Sequence, residues 1–262
     1  MTKKGEALAK NSLPQLEELE GMGFCRTYRY GNKVIKFMLP GGAESFAMIL
    51  KKWKSLDFVP KIYGKVEDIL VMKFFEGKPK FGLGENQLAE IGKVLRKLHK
   101  DSEGFGKLKG KTFEFPSFLK WIEDKKREIQ EDISPRDVPL MDKWFYLIKG
   151  FKPKPVLVHG DFGLHHIIWQ GNKLVGIIDF ENAQSAPAEL DIANLRYTMD
   201  SYGSLNKEDF ERIIRGYSHK VDWKLVYLLE AYLCIKNLRF LNKINPEVEK
   251  KSRKIAISLL KK

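Results

Sequence analysis

The sequence predicts an α+β fold in two lobes, a small antiparallel β-rich N-terminal lobe and a larger helical C-terminal lobe. Three observations predict it. The residues up to about Glu76 form short apolar stretches punctuated by turn residues. The residues from Gly77 onward carry apolar positions mostly at helical spacing. Within the helical part, two very apolar runs, Val156–Val158 and Gly176–Ile178, each lead to an aspartate. The expected division is therefore 1–76 as the N-lobe and 77–262 as the C-lobe.

Taken in order, Leu16 to Glu20 reads as a first strand, Gly21-Met22-Gly23 as a turn, and Cys25 to Tyr30 as a second strand. Gly31-Asn32 is a two-residue hairpin signal, and Lys33 to Met38 returns as a third strand. Pro40-Gly41-Gly42 breaks the pattern. Phe46, Ile49, Leu50 and Trp53 then recur at i, i+3, i+4 and i+7, which predicts an amphipathic helix. Ile62 to Val66 and Ile69 to Phe74 read as two more strands. Glu76-Gly77-Lys78-Pro79 looks like a hinge. Leu88, Ile91, Leu95 and Leu98 line a helix from about Glu85 to His99. Further helices are predicted from Pro116, an N1-type proline, toward Glu131, and over Leu140 to Lys149. A strand hairpin turning at Gln170-Gly171-Asn172-Lys173 follows. Helices then occupy Ala188–Thr198, Lys207–Ser218, Trp223–Asn242 and Pro246–Leu260.

Composition bounds the function. With 262 residues, 43% of them apolar, the chain is long enough for a substantial core and too apolar for a disordered one. No apolar run approaches the roughly 20 residues of a membrane span, and no secretory h-region follows the charged N-terminus, so a cytoplasmic protein is expected. Cys25 and Cys234 form no disulfide framework and lack metal-site spacing. A net charge of +13 favours anionic partners: nucleotides, nucleic acids or acidic lipids.

The chemistry centres on the stretch Val156 to Trp169 and on Gly176-Ile177-Ile178-Asp179-Phe180-Glu181. A carboxylate at the end of a buried strand is costly unless it meets a positive partner or takes up a proton. Two such carboxylates joined by a hairpin suit phosphoryl transfer, with Asp161 orienting a hydroxyl and Asp179 holding Mg²⁺. His166, on the loop side of the same hairpin, could supply a nitrogen ligand or a hydrogen bond to the metal or phosphate. In the N-terminal part, Lys36 stands on an apolar strand, where a buried ammonium needs an anion such as a nucleotide phosphate. Glu44 opens the amphipathic helix, suits its dipole and is placed to pair with Lys36. Gly21 and Gly23 would let backbone N–H groups approach phosphates.

With these residues in order, the chain resembles the aminoglycoside phosphotransferase and choline kinase family, relatives of the protein kinases. The resemblance spans most of the chain. It rests on His159-Gly160-Asp161 through His166, on Ile178-Asp179-Phe180-Glu181, on Pro187-Ala188-Glu189-Leu190-Asp191, on Leu98-His99, and on the hinge-like Met72-Lys73-Phe74-Phe75-Glu76-Gly77. It implies a protein-kinase-like fold, with Asp161 catalytic and Asp179 binding metal. It implies that Lys36 contacts the α- and β-phosphates with Glu44 as its helix partner, and that backbone groups of Lys73 to Phe75 contact the purine, with Met72 beside them. Asp191 would support the catalytic region. Many members carry Asn where this chain has His166; the histidine resembles the branch of macrolide and aminoglycoside 2″-phosphotransferases, some of which use GTP. ATP or GTP is therefore the expected donor, Mg²⁺ the expected cofactor, and a small-molecule hydroxyl the expected acceptor.

Other readings compete. The His-Gly-Asp core is shared with RIO-like atypical protein kinases, although the long helical tail after Asp191 favours the small-molecule branch. A non-catalytic nucleotide- or nucleic-acid-binding protein would explain the charge, but Lys36, Asp161 and Asp179 are all present. A zinc cluster of His159, His165 and His166 lacks a nearby cysteine; His159 reads instead as a buried structural residue and His165 as a loop residue. Glu181, Glu189, Asp200 and Glu230 are candidate acids for a cationic acceptor, against which the net charge argues. A sugar or amino alcohol fits as well as an aminoglycoside.

Overall fold

The structure, a computed structural model, describes residues 16–19, 25–39, 42–100, 118–131 and 133–261. The expected turn at Gly21 and Gly23, the Pro40-Gly41 break and the helix start at Pro116 lie outside them. The chain forms two compact units. One gathers the described residues up to Lys78 with Ile168–Ile178; the other comprises those from Pro79 to Ile167 and from Asp179 onward.

The first unit is built on a five-stranded antiparallel sheet: β1 (Leu16–Leu19), β2 (Thr27–Tyr30), β3 (Lys33–Phe37), β4 (Ile62–Val66) and β5 (Ile69–Lys73), in the order β1-β2-β3-β5-β4. Gly31-Asn32 turns β2 into β3 so that Tyr30 pairs Lys33. Gly31 takes the positive φ of 60° that a tight hairpin asks for. Helix α1 (Gly42–Lys52) buries Ala43, Phe46, Ala47 and Leu50. Leu70 and Met72 of β5 are buried as well; each such side chain contributes about 1.5–3 kcal/mol by leaving water. The hairpin of β8 (Ile167–Gln170) and β9 (Lys173–Ile177) joins a two-residue strand, β6 (Lys78–Pro79), in a three-stranded sheet. Its tight packing depends on Gly176, where any Cβ would stand 2.3 Å from the Phe75 ring. The Ile177 N–H donates to the Phe58 carbonyl at 2.7 Å.

The second unit is mostly helical: α2 (Glu85–Lys100), α3 (Phe118–Gln130), α4 (Val138–Ile148), α5 (Glu189–Tyr202), α6 (Lys207–Tyr217), α7 (Trp223–Ile244) and α8 (Pro246–Leu259). Polar caps set three of the starts. Asn206, Asp222 and Asn245 accept backbone N–H groups from Asp209, Leu225 and Val248, each worth about 1 kcal/mol. Helices α2 and α6 cross closely at two glycines. A Cβ on Gly92 would lie 2.0 Å from the Ile213 carbonyl, and one on Gly216 would lie 2.1 Å from that of Ala89. Strand β7 (Pro155–Val158) pairs antiparallel with β10 (Gln184–Pro187), Val158 opposite Gln184. The residues of β10, Gln-Ser-Ala-Pro, have neither strand propensity nor alternation, so the sequence predicts no element there. No described helix is long and apolar enough to cross a membrane.

Candidate active site

The centre of the second unit is organised by one buried carboxylate. Asp191 sits in the first turn of α5 and is fully buried. It accepts the backbone N–H of His159 at 2.9 Å and of Gly160 at 2.8 Å. The imidazole of His99, also buried, approaches its Oδ2 at 3.0 Å through Nε2 and the Tyr217 hydroxyl at 2.8 Å through Nδ1. With Asp191 ionised, His99 donates from Nε2 and accepts the Tyr217 O–H; burial, the largest influence, pushes that phenol's pKa up, so it remains a donor. The last residue of α2 to be buried thus clamps the loop after β7 from below. Gly160 has a φ of +82°, and a Cβ there would meet the Asn182 carbonyl at 2.0 Å. That close approach brings the Asp161 loop against the turn that follows Asp179.

His166 joins the two aspartates. The residue is buried, in a 3₁₀ turn over Leu164–His166. Its Nδ1–H donates to the backbone carbonyl of Asp161 at 2.8 Å, and its Nε2 lies 3.4 Å from Asp179 Oδ2. A neutral imidazole has one N–H. Spending it on the carbonyl leaves the Nε2 lone pair facing a carboxylate. Two such groups at this distance are compatible when a proton or a metal ion lies between them. Burial opposes charging His166, yet Asp179 and the Asp161 carbonyl outweigh it, and the pKa is raised above the ordinary histidine value. Asp179 itself is half-exposed and adopts a left-handed backbone, φ 65° and ψ 56°. Asp tolerates that region better than most residues, and the turn aims its carboxylate off the end of β9.

His165, set aside by sequence reasoning as a loop residue, is exposed and lies beside this site. One ligand atom each of Asp161, His165 and His166 fall within 4.8 Å of one another. Part of its surface is open, yet desolvation by the protein around it and then the neighbouring His166 hold its pKa down, which favours the neutral imidazole. Its adjacency to His166 in sequence was the available signal; the tight turn that points both rings the same way was not.

In the first unit, Lys36 is buried on β3, opposite Leu70 of β5, with Nζ 5.9 Å from the Phe46 ring. Glu44 stands exposed in the first turn of α1, and its carboxylate meets Lys65 Nζ at 3.0 Å. Met72 is buried at the end of β5. Arg29 lies over the Phe74 ring and Lys73 over that of Phe75. Lys73, Phe74 and Phe75 line a cavity of about 420 Å³ with Phe58 and Leu174.

The acids expected to meet a cationic acceptor are largely engaged elsewhere. Glu230 is fully buried and accepts Arg196 Nε–H at 2.8 Å, and Asp200 accepts a second Arg196 N–H at 3.1 Å. Glu189 accepts the Asp222 backbone N–H at 3.3 Å. Glu181 is exposed.

Comparison with known proteins places these features in context. A family model described as "Phosphotransferase enzyme family" matches residues 29–228. Among solved structures, amicoumacin kinase hAmiN in complex with AMP-PNP, Ca²⁺ and Ami is 13% identical with a TM-score of 0.75, over 99% of this chain and 94% of that one. Choline kinase LicA from Streptococcus pneumoniae is 15% identical with a TM-score of 0.70, over 98% and 97%. The gentamicin complex of APH(2")-IIa is 18% identical with a TM-score of 0.65, over 98% and 96%. At these identities the likeness shows a shared protein-kinase-like fold. No curated protein sequence matches the chain.

Proposed function

The chain belongs to the phosphotransferase enzyme family, and on that premise we propose that it moves the γ-phosphoryl group of ATP or GTP to a hydroxyl of a small molecule. The observation that carries this reading is the facing of His166 Nε2 and Asp179 Oδ2 across 3.4 Å, beside Asp161. It is a site that asks for a cation next to the Asp161 carboxylate.

The residues fit Mg²⁺ in part. Asp179 supplies the oxygen that this hard ion prefers, and His166 supplies nitrogen, a less usual ligand. When bound there, Mg²⁺ would neutralise charge on the β- and γ-phosphate oxygens. The remaining work falls to the chain. Asp161 accepts the proton of the acceptor hydroxyl as its oxygen bonds to the γ-phosphorus. The bond from that phosphorus to the β–γ bridging oxygen breaks, and the nucleoside diphosphate leaves. Asp191 holds the backbone on which Asp161 is mounted, through its bonds to His159 and Gly160. Positioning of this kind supplies most of the catalysis in phosphoryl transfer.

In this reading Lys36 contacts the α- and β-phosphates, with Glu44 on the neighbouring helix. The backbone of Lys73 to Phe75, beside Met72, receives the purine. The nucleotide analogue and divalent ion held by the amicoumacin kinase support the donor and cofactor assignment. The test is a screen of hydroxyl compounds with ATP and with GTP, run beside Asp161→Ala. The wild type should phosphorylate at least one class of acceptor, and Asp161→Ala should lower kcat by about 10²–10⁴. If no acceptor is phosphorylated faster by the wild type than by the variant, the reading fails.

A further inference from the structure

The kinase reading gives His165 no task, although its ring is held beside Asp161 and His166. The 3₁₀ turn over Leu164–His166 sets the two imidazoles side by side, their centroids 3.9 Å apart. The ring of His165 lies back over Gly163: a Cβ on that glycine would stand 2.6 Å from its Cε1 and 2.8 Å from its Nδ1. The bare glycine therefore lets the ring take this direction. Within the same unit, one ligand atom each of Asp161, His165 and His166 fall within 4.8 Å of one another.

Two imidazoles and a carboxylate make the donor set of an open zinc site, in which three protein ligands leave a fourth position to water or substrate. A tetrahedral Zn²⁺ spaces its ligand atoms by about 3.4 Å. A modest rotation of the exposed His165 and half-buried Asp161 side chains closes the set to that spacing. His166 already carries the outer bond that a metal-bound histidine needs. Its Nδ1–H donates to the Asp161 carbonyl at 2.8 Å, which fixes the ring and leaves Nε2 to an ion. His159 is no part of the set, although its ring centroid lies 5.5 Å from that of His166. It is fully buried, and its Nδ1 accepts the Asp161 backbone N–H at 3.3 Å. The exposed side of His165 gives a hydrated ion a way in. Imidazole nitrogen favours Zn²⁺ and its neighbours in the transition series, whereas Mg²⁺ prefers oxygen.

We propose that Asp161, His165 and His166 form a transition-metal site, suited to Zn²⁺, whose occupation blocks phosphoryl transfer. His166 belongs both to this set and to the pair it makes with Asp179, where Nε2 faces Oδ2 at 3.4 Å. A nitrogen lone pair serves one ion at a time. A carboxylate of Asp161 bound to Zn²⁺ no longer accepts the proton of the acceptor hydroxyl. A single Zn²⁺ thus takes away a Mg²⁺ ligand and the proton acceptor together. The blocking, though not the binding, rests on the kinase reading.

The first test needs no turnover. Competition with a chromophoric chelator should show Zn²⁺ bound by the chelator-treated wild type. His165→Ala and Asp161→Asn should each weaken that affinity by about tenfold or more, at least the cost of losing an outer-shell partner. Co²⁺ in place of Zn²⁺ should give the intense visible bands of a four-coordinate ion in the wild type and lose them in His165→Ala. His165→Gln, close in size to the imidazole, stands in if circular dichroism shows the alanine variant unfolded. No binding by the wild type overturns the site. Equal affinity in wild type and variants marks an adventitious ion only, and overturns it as well. In the second test, with Mg²⁺ and nucleotide saturating, buffered Zn²⁺ should inhibit the wild type at concentrations about tenfold below those that inhibit His165→Ala. Equal inhibition of the two overturns the blocking role and leaves the kinase reading standing. If no acceptor is phosphorylated, the blocking role falls with the kinase reading, and the chelator competition alone decides the site.

Discussion

The Nε2 atom of His166 faces Oδ2 of Asp179 across 3.4 Å, with the other ring nitrogen committed to the Asp161 carbonyl. In the proposed site a proton and a metal ion would therefore compete for one position. The His166 pKa is raised, so the proton is held to a higher pH than in a free histidine. Divalent-metal affinity should be level above that raised pKa and fall by up to about tenfold per pH unit below it. His166→Asn should flatten the dependence. Metal titrations of nucleotide turnover at pH 6 and pH 8 check this, and equal affinities at the two values in the wild type would sink it.

Without metal the same shift acts on stability. The folded protein binds the His166 proton more tightly than the unfolded chain, so the contribution is complete below the unfolded value of 6.5 and is lost as pH rises through the folded pKa. Chelator-treated wild type should thus lose stability relative to His166→Asn on passing from pH 6 to pH 8. Urea unfolding of the two proteins at both values measures it.

Asp191 satisfies two backbone donors and one imidazole with a single buried side chain. Asp191→Ala orphans all of them, at roughly 1–3 kcal/mol each if water cannot enter. The loss should exceed 3 kcal/mol in total by that reckoning and lower kcat through displacement of Asp161. Asp191→Asn, which keeps one acceptor oxygen, should retain more stability than activity. A circular-dichroism melt beside kcat separates the two effects; wild-type kcat in a folded Asp191→Asn protein would refute the positioning role.

At Gly160 the prediction is steric. A methyl group would overlap the Asn182 carbonyl in a backbone region that disfavours side chains. Gly160→Ala should cost on the order of 2 kcal/mol or more and separate the Asp161 loop from the turn after Asp179. Full activity in this variant would show that the approach of these segments is not required.

Glu230 predicts a second pH effect. Burial raises its pKa to about 7 against the pull of Arg196, and its Oε1 meets no hydrogen-bond donor among the described residues. The unfolded chain releases this proton near 4.5 and the folded chain near 7, so stability should fall as pH rises across that window and level off above it. The drop should be on the order of 3 kcal/mol. Glu230→Gln should flatten the profile. Urea midpoints at pH 5 and pH 8 decide, and parallel profiles for variant and wild type would be the contrary result.

Much of the fold was legible because its elements are local. Gly31-Asn32 specifies a hairpin through its own backbone preferences, and the apolar spacing of Leu88, Ile91, Leu95 and Leu98 specifies a helix and its buried face. Strand β10 was not legible, since Gln184 to Pro187 become a strand only by pairing with Val156–Val158. For the site, Asp161, Asp179 and His166 were recognisable from their positions at the ends of apolar runs. The part played by His165 beside them was not, because ring direction depends on a turn set by packing. Nor could the sequence show that Arg196 takes up Glu230 and Asp200, residues that sequence reasoning had offered to a cationic acceptor.

By itself the sequence determined most of the strands and helices, the family and the candidate site residues, because short-range periodicity and motif spacing are properties of the chain. Tertiary structure alone decided the clamp of Asp191 on the Asp161 loop, the facing of His166 and Asp179, and the pairing of Arg196 with Glu230. Each of these joins residues distant in sequence, and each draws its energy from burial and from the geometry of donors and acceptors, which exist only once the chain has folded.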